Sequence, residues 1–134
     1  MIEFWVEGIP QTKGSTRAFM PKGKRFPVVT NDNPKNKSWA RRVTIAARNA
    51  MSIGAFEKID GPVKLHLTFF VSQPKRVKHS LAPSTTRPDL DKMVRSVGDA
   101  LEGVCYQQDA QIAVISAAKF YSHRPGLKVT VDTL

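Results

Sequence analysis

Cysteine is all but missing from this chain, and acid is scarce. The lone Cys105 excludes an internal disulfide framework and a four-cysteine zinc site, and reads as a small core residue rather than a nucleophile. No apolar run approaches the about 18 residues of a membrane span. No stretch reads as a basic amphipathic membrane helix either, so no membrane partner is expected. The opening MIEFWVEGIP lacks the basic region and apolar stretch of a signal peptide, which points to the cytoplasm. No internal repeat and no domain boundary is visible, and 134 residues suffice for one domain with a single core.

What is present in excess is positive charge. Twenty-one Lys and Arg stand against eleven Asp and Glu, a net +10 with a sequence pI near 10.1. Such an excess favours a polyanion, because neutralising phosphates releases counterions. Charge alone does not separate DNA from RNA, and a merely soluble basic protein is the plainer alternative.

Patterning predicts the elements. Residues 2–7 (IEFWVE) read as a first strand ended by Gly8 and Pro10. Residues 11–33 form a basic hairpin or loop, with a turn at Pro21-Lys22-Gly23-Lys24. Asn33-Pro34 should open a helix whose buried stripe is Trp39, Val43, Ala46, Ala47, Ala50 and Ile53, with Lys37, Arg41 and Arg48 on another side. Residues 62–72 read as a core strand and 73–88 as a polar loop. A second helix over about 92–103 is signalled by Met93, Val94, Val97, Ala100, Leu101 and Val104. Residues 111–121 and 127–133 read as two strands joined by a hairpin turn at His123-Arg124-Pro125-Gly126. The expected class is α+β: one domain over 1–134, a mixed β-sheet backed by two α-helices.

Because acids are rare, their placement is informative. Five of the eleven, Asp89, Asp91, Asp99, Glu102 and Asp109, fall within one short stretch. Asp89 and Asp91 flank Leu90; in an extended segment, residues two apart point to one side. Two aspartates capping a helix is the plainer reading of that pair, with Asp91 a natural N-cap for a helix starting at Lys92. Asp109, however, precedes the strand after the helix and can return toward the pair, and Arg95 lies one turn beyond Asp91. Carboxylates converging beside a cation suit a divalent-metal site. Mg²⁺ takes oxygen ligands, keeps several waters, and offsets the repulsion between a phosphodiester and its nucleophile. His66 reads as a structural strand residue, and His79 and His123 as surface residues, since such a site prefers oxygen.

The segment Arg87-Pro88-Asp89-Leu90-Asp91, then Asp99-Ala100-Leu101, Gly103 and Asp109-Ala110-Gln111-Ile112, resembles the RusA family of Holliday-junction resolvases. That family's pattern is approximately D-x-D-N-L-x-K, D-A-L-x-x and D-D-x-Q, and the motif match spans about 25 residues. The resemblance implies a bacterial or phage-encoded homodimer that binds four-way DNA junctions in the cytoplasm. It further implies paired, symmetric nicks made with Mg²⁺, with Mn²⁺ a substitute, in recombination and repair. It assigns Asp89, Asp91 and Asp109 as metal-binding catalytic acids, Arg95 as the catalytic cation, and Asp99 and Lys92 as supporting residues. Three positions depart from the pattern: Lys92 replaces Asn, Arg95 replaces Lys, and Gln108 replaces the first acid of the D-D pair. Arginine keeps the cation but turns a point charge into a planar fork, which suits electrostatic stabilisation better than proton donation.

The DNA-binding cations are taken to be Arg17, Lys22, Lys24, Arg25, Lys37, Arg41, Arg48, Lys75, Arg76, Lys78 and Arg87. Phe19 and Phe26 are candidate wedge residues for opened base pairs, the alternative being that both pack onto the core. Two other readings compete. A nuclease of the restriction-enzyme type would need an acid-x-Lys after Pro88-Asp89, and none follows. A non-catalytic basic nucleic-acid-binding protein would not need Asp89.

Overall fold

Val63–Ser72 alternates apolar and polar residues and then runs apolar from Phe69 to Val71, and it forms an inner strand of the sheet. Val63, Leu65, Leu67, Phe69 and Val71 are buried on one side, and Lys64 and His66 are exposed on the other. A computed structural model describes every residue except 14, 15, 20, 21, 24, 26, 27 and 32, and describes 16–19 and 28–31 through their backbone alone. The elements run β1 (Ile2–Glu7), β2 (Thr16–Phe19), β3 (Val28–Asn31), α1 (Lys35–Ile53) and β4 (Val63–Ser72). Then come α2 (Leu90–Leu101), a short 3-10 turn (Asp109–Gln111), β5 (Ile112–Ser122) and β6 (Gly126–Thr133).

The main sheet has the order β1-β6-β4-β5, with β4·β5 parallel and the other two pairs antiparallel. A separate antiparallel ribbon pairs β2 with β3, from Thr16↔Asn31 to Phe19↔Val28. The class is α+β, with a mixed four-stranded sheet and two helices in one domain. The helices bury Trp39, Val43, Ala47 and Met51 of α1 and Met93, Val97 and Leu101 of α2 in one core with the inward-facing residues of the sheet. They are tied to each other by Ser96 Oγ donating to Asn36 Oδ1 at 2.5 Å and Thr44 Oγ1 donating to the Ala100 carbonyl at 2.8 Å.

Three local expectations change. β5 and β6 do not form a hairpin, because β4 lies between them; the 123–125 link steps over one strand. The parallel β4·β5 pair needs a crossover, and α2 is its helix. Ile53 is 88% exposed, because the stripe advances in fours to Met51 and two further residues turn the chain to the opposite side. α2 begins at Leu90 with Asp89 at the cap position, so Asp91 is already helical and the two-residue strand rule does not govern this pair.

Among the described residues, the other face of the sheet carries no helix. Across one end of it, the Trp5 ring lies 5.7 Å from Phe70, which lies 6.4 Å from Phe120. Gly126 of β6 makes that row possible, since a Cβ there would come within 2.1 Å of the Trp5 ring.

Candidate active site on the second helix

Asp91, Arg95 and Asp99 follow one another at one-turn spacing along α2, on the side away from buried Met93, Val97 and Leu101. Asp91 and Arg95 are exposed, and neither makes an ion pair with a described residue. Asp99 is half-buried. Eight residues of helix separate Asp91 from Asp99, a rise of about 12 Å along the axis. The helix thus presents acid at both ends of one face.

At its C-terminal end the chain turns back sharply. Gly103 has φ +81° and donates its N–H to the Tyr106 carbonyl at 2.7 Å, and the Tyr106 hydroxyl donates to the Gly98 carbonyl at 2.8 Å. Burial raises the Tyr106 phenol, keeping it a neutral donor, and pushes the Cys105 thiol up to about 11. Cys105 is thus a core residue, protonated at neutral pH. The returning chain is fixed by Gln111. Its Oε1 accepts the N–H groups of Gln107 and Gln108, both at 2.9 Å, and its Nε2 donates to the carbonyls of Ile59 and Gly61 at 2.9 and 3.0 Å. All four polar bonds of one amide are spent on holding the turn that carries Asp109.

The result is a group of Asp99, Glu102 and Asp109, each offering an oxygen within 4.8 Å of the others. The donors are all carboxylate oxygens, a set that fits a hard divalent cation such as Mg²⁺. Among the described residues no other acidic, histidine or cysteine group of three comes this close. Asp109 is therefore grouped with Asp99 and Glu102, whereas Asp89, Asp91 and Asp109 do not form such a group of three. Glu102 is a residue that motif reading passed over, although it lies in the acid-rich stretch.

Lys13 also reaches the acidic face of α2. Its N–H donates to the Lys92 carbonyl at 3.4 Å, and its Nζ lies 2.7 Å from Asp99 Oδ2. It sits in the basic segment after Pro10, but nothing in the sequence distinguishes it there from the neighbouring cations. At the opposite end of α2, Lys92 Nζ lies 3.7 Å from Asp89 Oδ2. Each end of the helix thus has one ammonium against one of its acids. Both pairs are about half exposed, so each contributes little to stability.

Beside Asp89 lies an open cleft of about 360 Å³ between the segment Ile9–Thr12, Asn33, Arg87–Asp89 and Lys92. Its walls are fixed by the Asn33 side chain, whose Nδ2 donates to the Thr12 carbonyl at 2.9 Å and whose Oδ1 accepts the Lys35 N–H at 3.2 Å.

Among the proposed DNA contacts, Lys22, Arg25, Lys37, Arg41, Arg48, Lys75, Arg76, Lys78 and Arg87 are exposed and make no ion pair with a described residue. Arg17 and Phe19 lie on β2, whose side chains are outside the described part of the structure, and Lys24 and Phe26 lie outside the described residues. The acids of the open sheet face are spent differently. Glu3 pairs with Lys128 at 3.1 Å, Asp132 with the N-terminal amine at 3.8 Å, and Glu7 with Arg124 at 3.2 Å. Hydrogen bonds from Arg124 and the Trp5 indole hold the Glu7 carboxyl below its usual range. His66 lies exposed on this face, not in the core.

A family model described as Endodeoxyribonuclease RusA matches residues 9–132. The uncharacterized protein YqaN of Bacillus subtilis (strain 168) is 31% identical over 140 residues, covering 97% of this chain and 94% of that protein.

Proposed function

The chain belongs to the RusA endodeoxyribonuclease family, and from that premise we propose that it cuts four-way DNA junctions with Mg²⁺ at the acidic face of α2. The family match over residues 9–132 is the observation that carries this reading. The oxygen-only group at Asp109 agrees with it chemically.

Asp109, with Asp99 and Glu102, would hold the cation at one end of α2, and Asp89 and Asp91 would act at the other. When bound, the ion supplies the positive charge that lets a hydroxide nucleophile approach a phosphodiester. Arg95 stands between the two ends and adds a planar cation where the phosphate oxygens gain negative charge. Lys13 and Lys92 hold the carboxylates they pair with in place. The exposed cations of α1 and of the 73–88 loop bind the phosphates of the junction arms.

A four-way junction has two-fold symmetry, so paired nicks need two sites related by a matching axis. We therefore assign the active form as a homodimer. Val114 and Ile115, exposed on the outer strand of the sheet, support self-association there. The enzyme would act in a bacterial cytoplasm, on recombination and repair intermediates.

The test is a synthetic four-way junction beside a matched linear duplex, with Mg²⁺, Mn²⁺ or EDTA. Paired symmetric nicks in the junction alone, lost in EDTA, are expected. Equal cutting of the duplex would contradict the structure selectivity. Tight junction binding without cleavage in any metal would leave a basic binding protein.

A further inference from the structure

We propose that Lys119 is a positioning residue for the cleavage, fixing the backbone that delivers Asp89 to the acidic face of α2. This rests on the nuclease reading above and extends it to a residue outside the acidic groups.

Lys119 lies on β5 opposite Phe69 of β4, on the side of the sheet that the helices cover. An ammonium placed there is costly unless it finds acceptors. It finds two: Nζ donates to the Thr86 carbonyl at 2.5 Å and to the Pro88 carbonyl at 2.8 Å. It makes no ion pair with a described residue, so its charge is met by the backbone dipoles of one short segment.

That segment ends in Asp89. The Pro88 carbonyl belongs to the peptide that joins Pro88 to Asp89, and the Asp89 carbonyl accepts the Met93 N–H at 3.1 Å, opening α2. Other bonds hold the earlier part of the loop. Leu81 N–H donates to the Tyr121 carbonyl, Tyr121 N–H to the Ala82 carbonyl, and Ser84 N–H to the Lys119 carbonyl, at 2.8, 2.9 and 3.1 Å. The Tyr121 hydroxyl accepts the Thr85 N–H at 3.3 Å and bonds the Thr86 hydroxyl at 3.0 Å. These contacts stop at residue 86. Among the described residues, the Pro88 carbonyl is held by Lys119.

β5 begins where the Asp109 turn ends, at Ile112. One strand therefore carries Asp109 at its start and grips the approach to Asp89 further along. Lys119 sets the position of the N-terminal acids relative to those around Asp109.

The test compares Lys119→Met, which keeps the chain length but no donor, with Lys119→Arg, which keeps a cation with several donors. Amide hydrogen exchange of residues 86–93 reads the loop without requiring catalysis, and thermal melting checks the fold. Lys119→Met should speed exchange there while the core strands stay protected. Single-turnover junction cleavage should fall about 10- to 100-fold, as for other groups that orient metal ligands. The Mg²⁺ concentration for half-maximal rate should rise. Junction affinity in EDTA should stay unchanged, and Lys119→Arg should restore most of the rate. Unchanged exchange and cleavage would overturn the proposal. So would a loss of binding that matches the loss of cleavage, which would make Lys119 a phosphate contact. If the parent protein does not cleave, the nuclease reading fails, while the exchange data still decide whether Lys119 holds the loop. If Lys119→Met does not fold, exchange in Lys119→Gln decides the same point.

Discussion

The two ends of α2 carry acid in different company. At the N-terminal end, Asp89 pairs loosely with Lys92 beside an open cleft, and Asp91 has no described partner. At the C-terminal end, Asp99, Glu102 and Asp109 share one small volume, with the Lys13 ammonium already on Asp99. Both ends are held by a single polar side chain that spends its hydrogen bonds on backbone. Gln111 holds the Asp109 turn, and Lys119 holds the approach to Asp89. Proximity and exposure are thus divided between the two ends of the helix. One end concentrates oxygen donors, and the other sets Asp89 beside an open cleft and leaves Asp91 without an ion-pair partner among the described residues.

If both ends serve one reaction, removing an acid from either should stop it. Asp91→Asn is expected to lower junction cleavage by more than the roughly 100-fold typical of an orienting group, with binding retained in EDTA. Glu102→Gln separates the ends. A comparable loss, with a raised Mg²⁺ requirement, places the ion at the C-terminal group; an unchanged rate and Mg²⁺ requirement would remove Glu102 from the site. Gln111→Ala frees four backbone groups around Asp109 and should cost about 10- to 100-fold in cleavage rate, measured under single turnover.

Smaller effects test the surfaces flanking the helix. Arg41→Ala or Lys75→Ala should weaken binding to every DNA sequence alike and reduce the slope of log affinity against log salt by about one. An unchanged salt slope would take that residue off the DNA. The open sheet face supplies the control. Gly126→Ala forces a methyl against the Trp5 ring and the Val6 carbonyl, and should destabilise by about 1–3 kcal/mol in denaturant melts. Cleavage per folded molecule should not change there, because the acids of that face are already paired and lie on the side away from the helices.

Much of this was legible in the chain. Period-two alternation marks β4 as a core strand, and the i, i+4 series in α1 and α2 marks the faces they bury. The acid-rich stretch between positions 89 and 109 stands out because acid is otherwise rare. Strand neighbours were not legible. β5 and β6 are adjacent in sequence with a turn-like link, yet β4 separates them, and that choice depends on a crossover no local pattern encodes. The helix start was misplaced because Asp89 and Asp91 are both good cap residues. A shift of two positions changed which rule sets the direction of Asp91. Lys13, Lys119 and Glu102 were missed for a common reason: each acquires its role from a partner distant in sequence or from the turn after α2. In the sequence they are ordinary charged residues.

Asp109 belongs both to the motif and to the group of three acids at the end of α2, so Asp109→Asn is the most direct measurement. Junction affinity in EDTA and single-turnover cleavage in saturating Mg²⁺ should be measured on the same preparation. Junction affinity should match the parent's, since the exposed cations supply it, and cleavage should fall by more than roughly 100-fold. Cleavage at the parental rate would contradict a metal-assisted site at this end of α2.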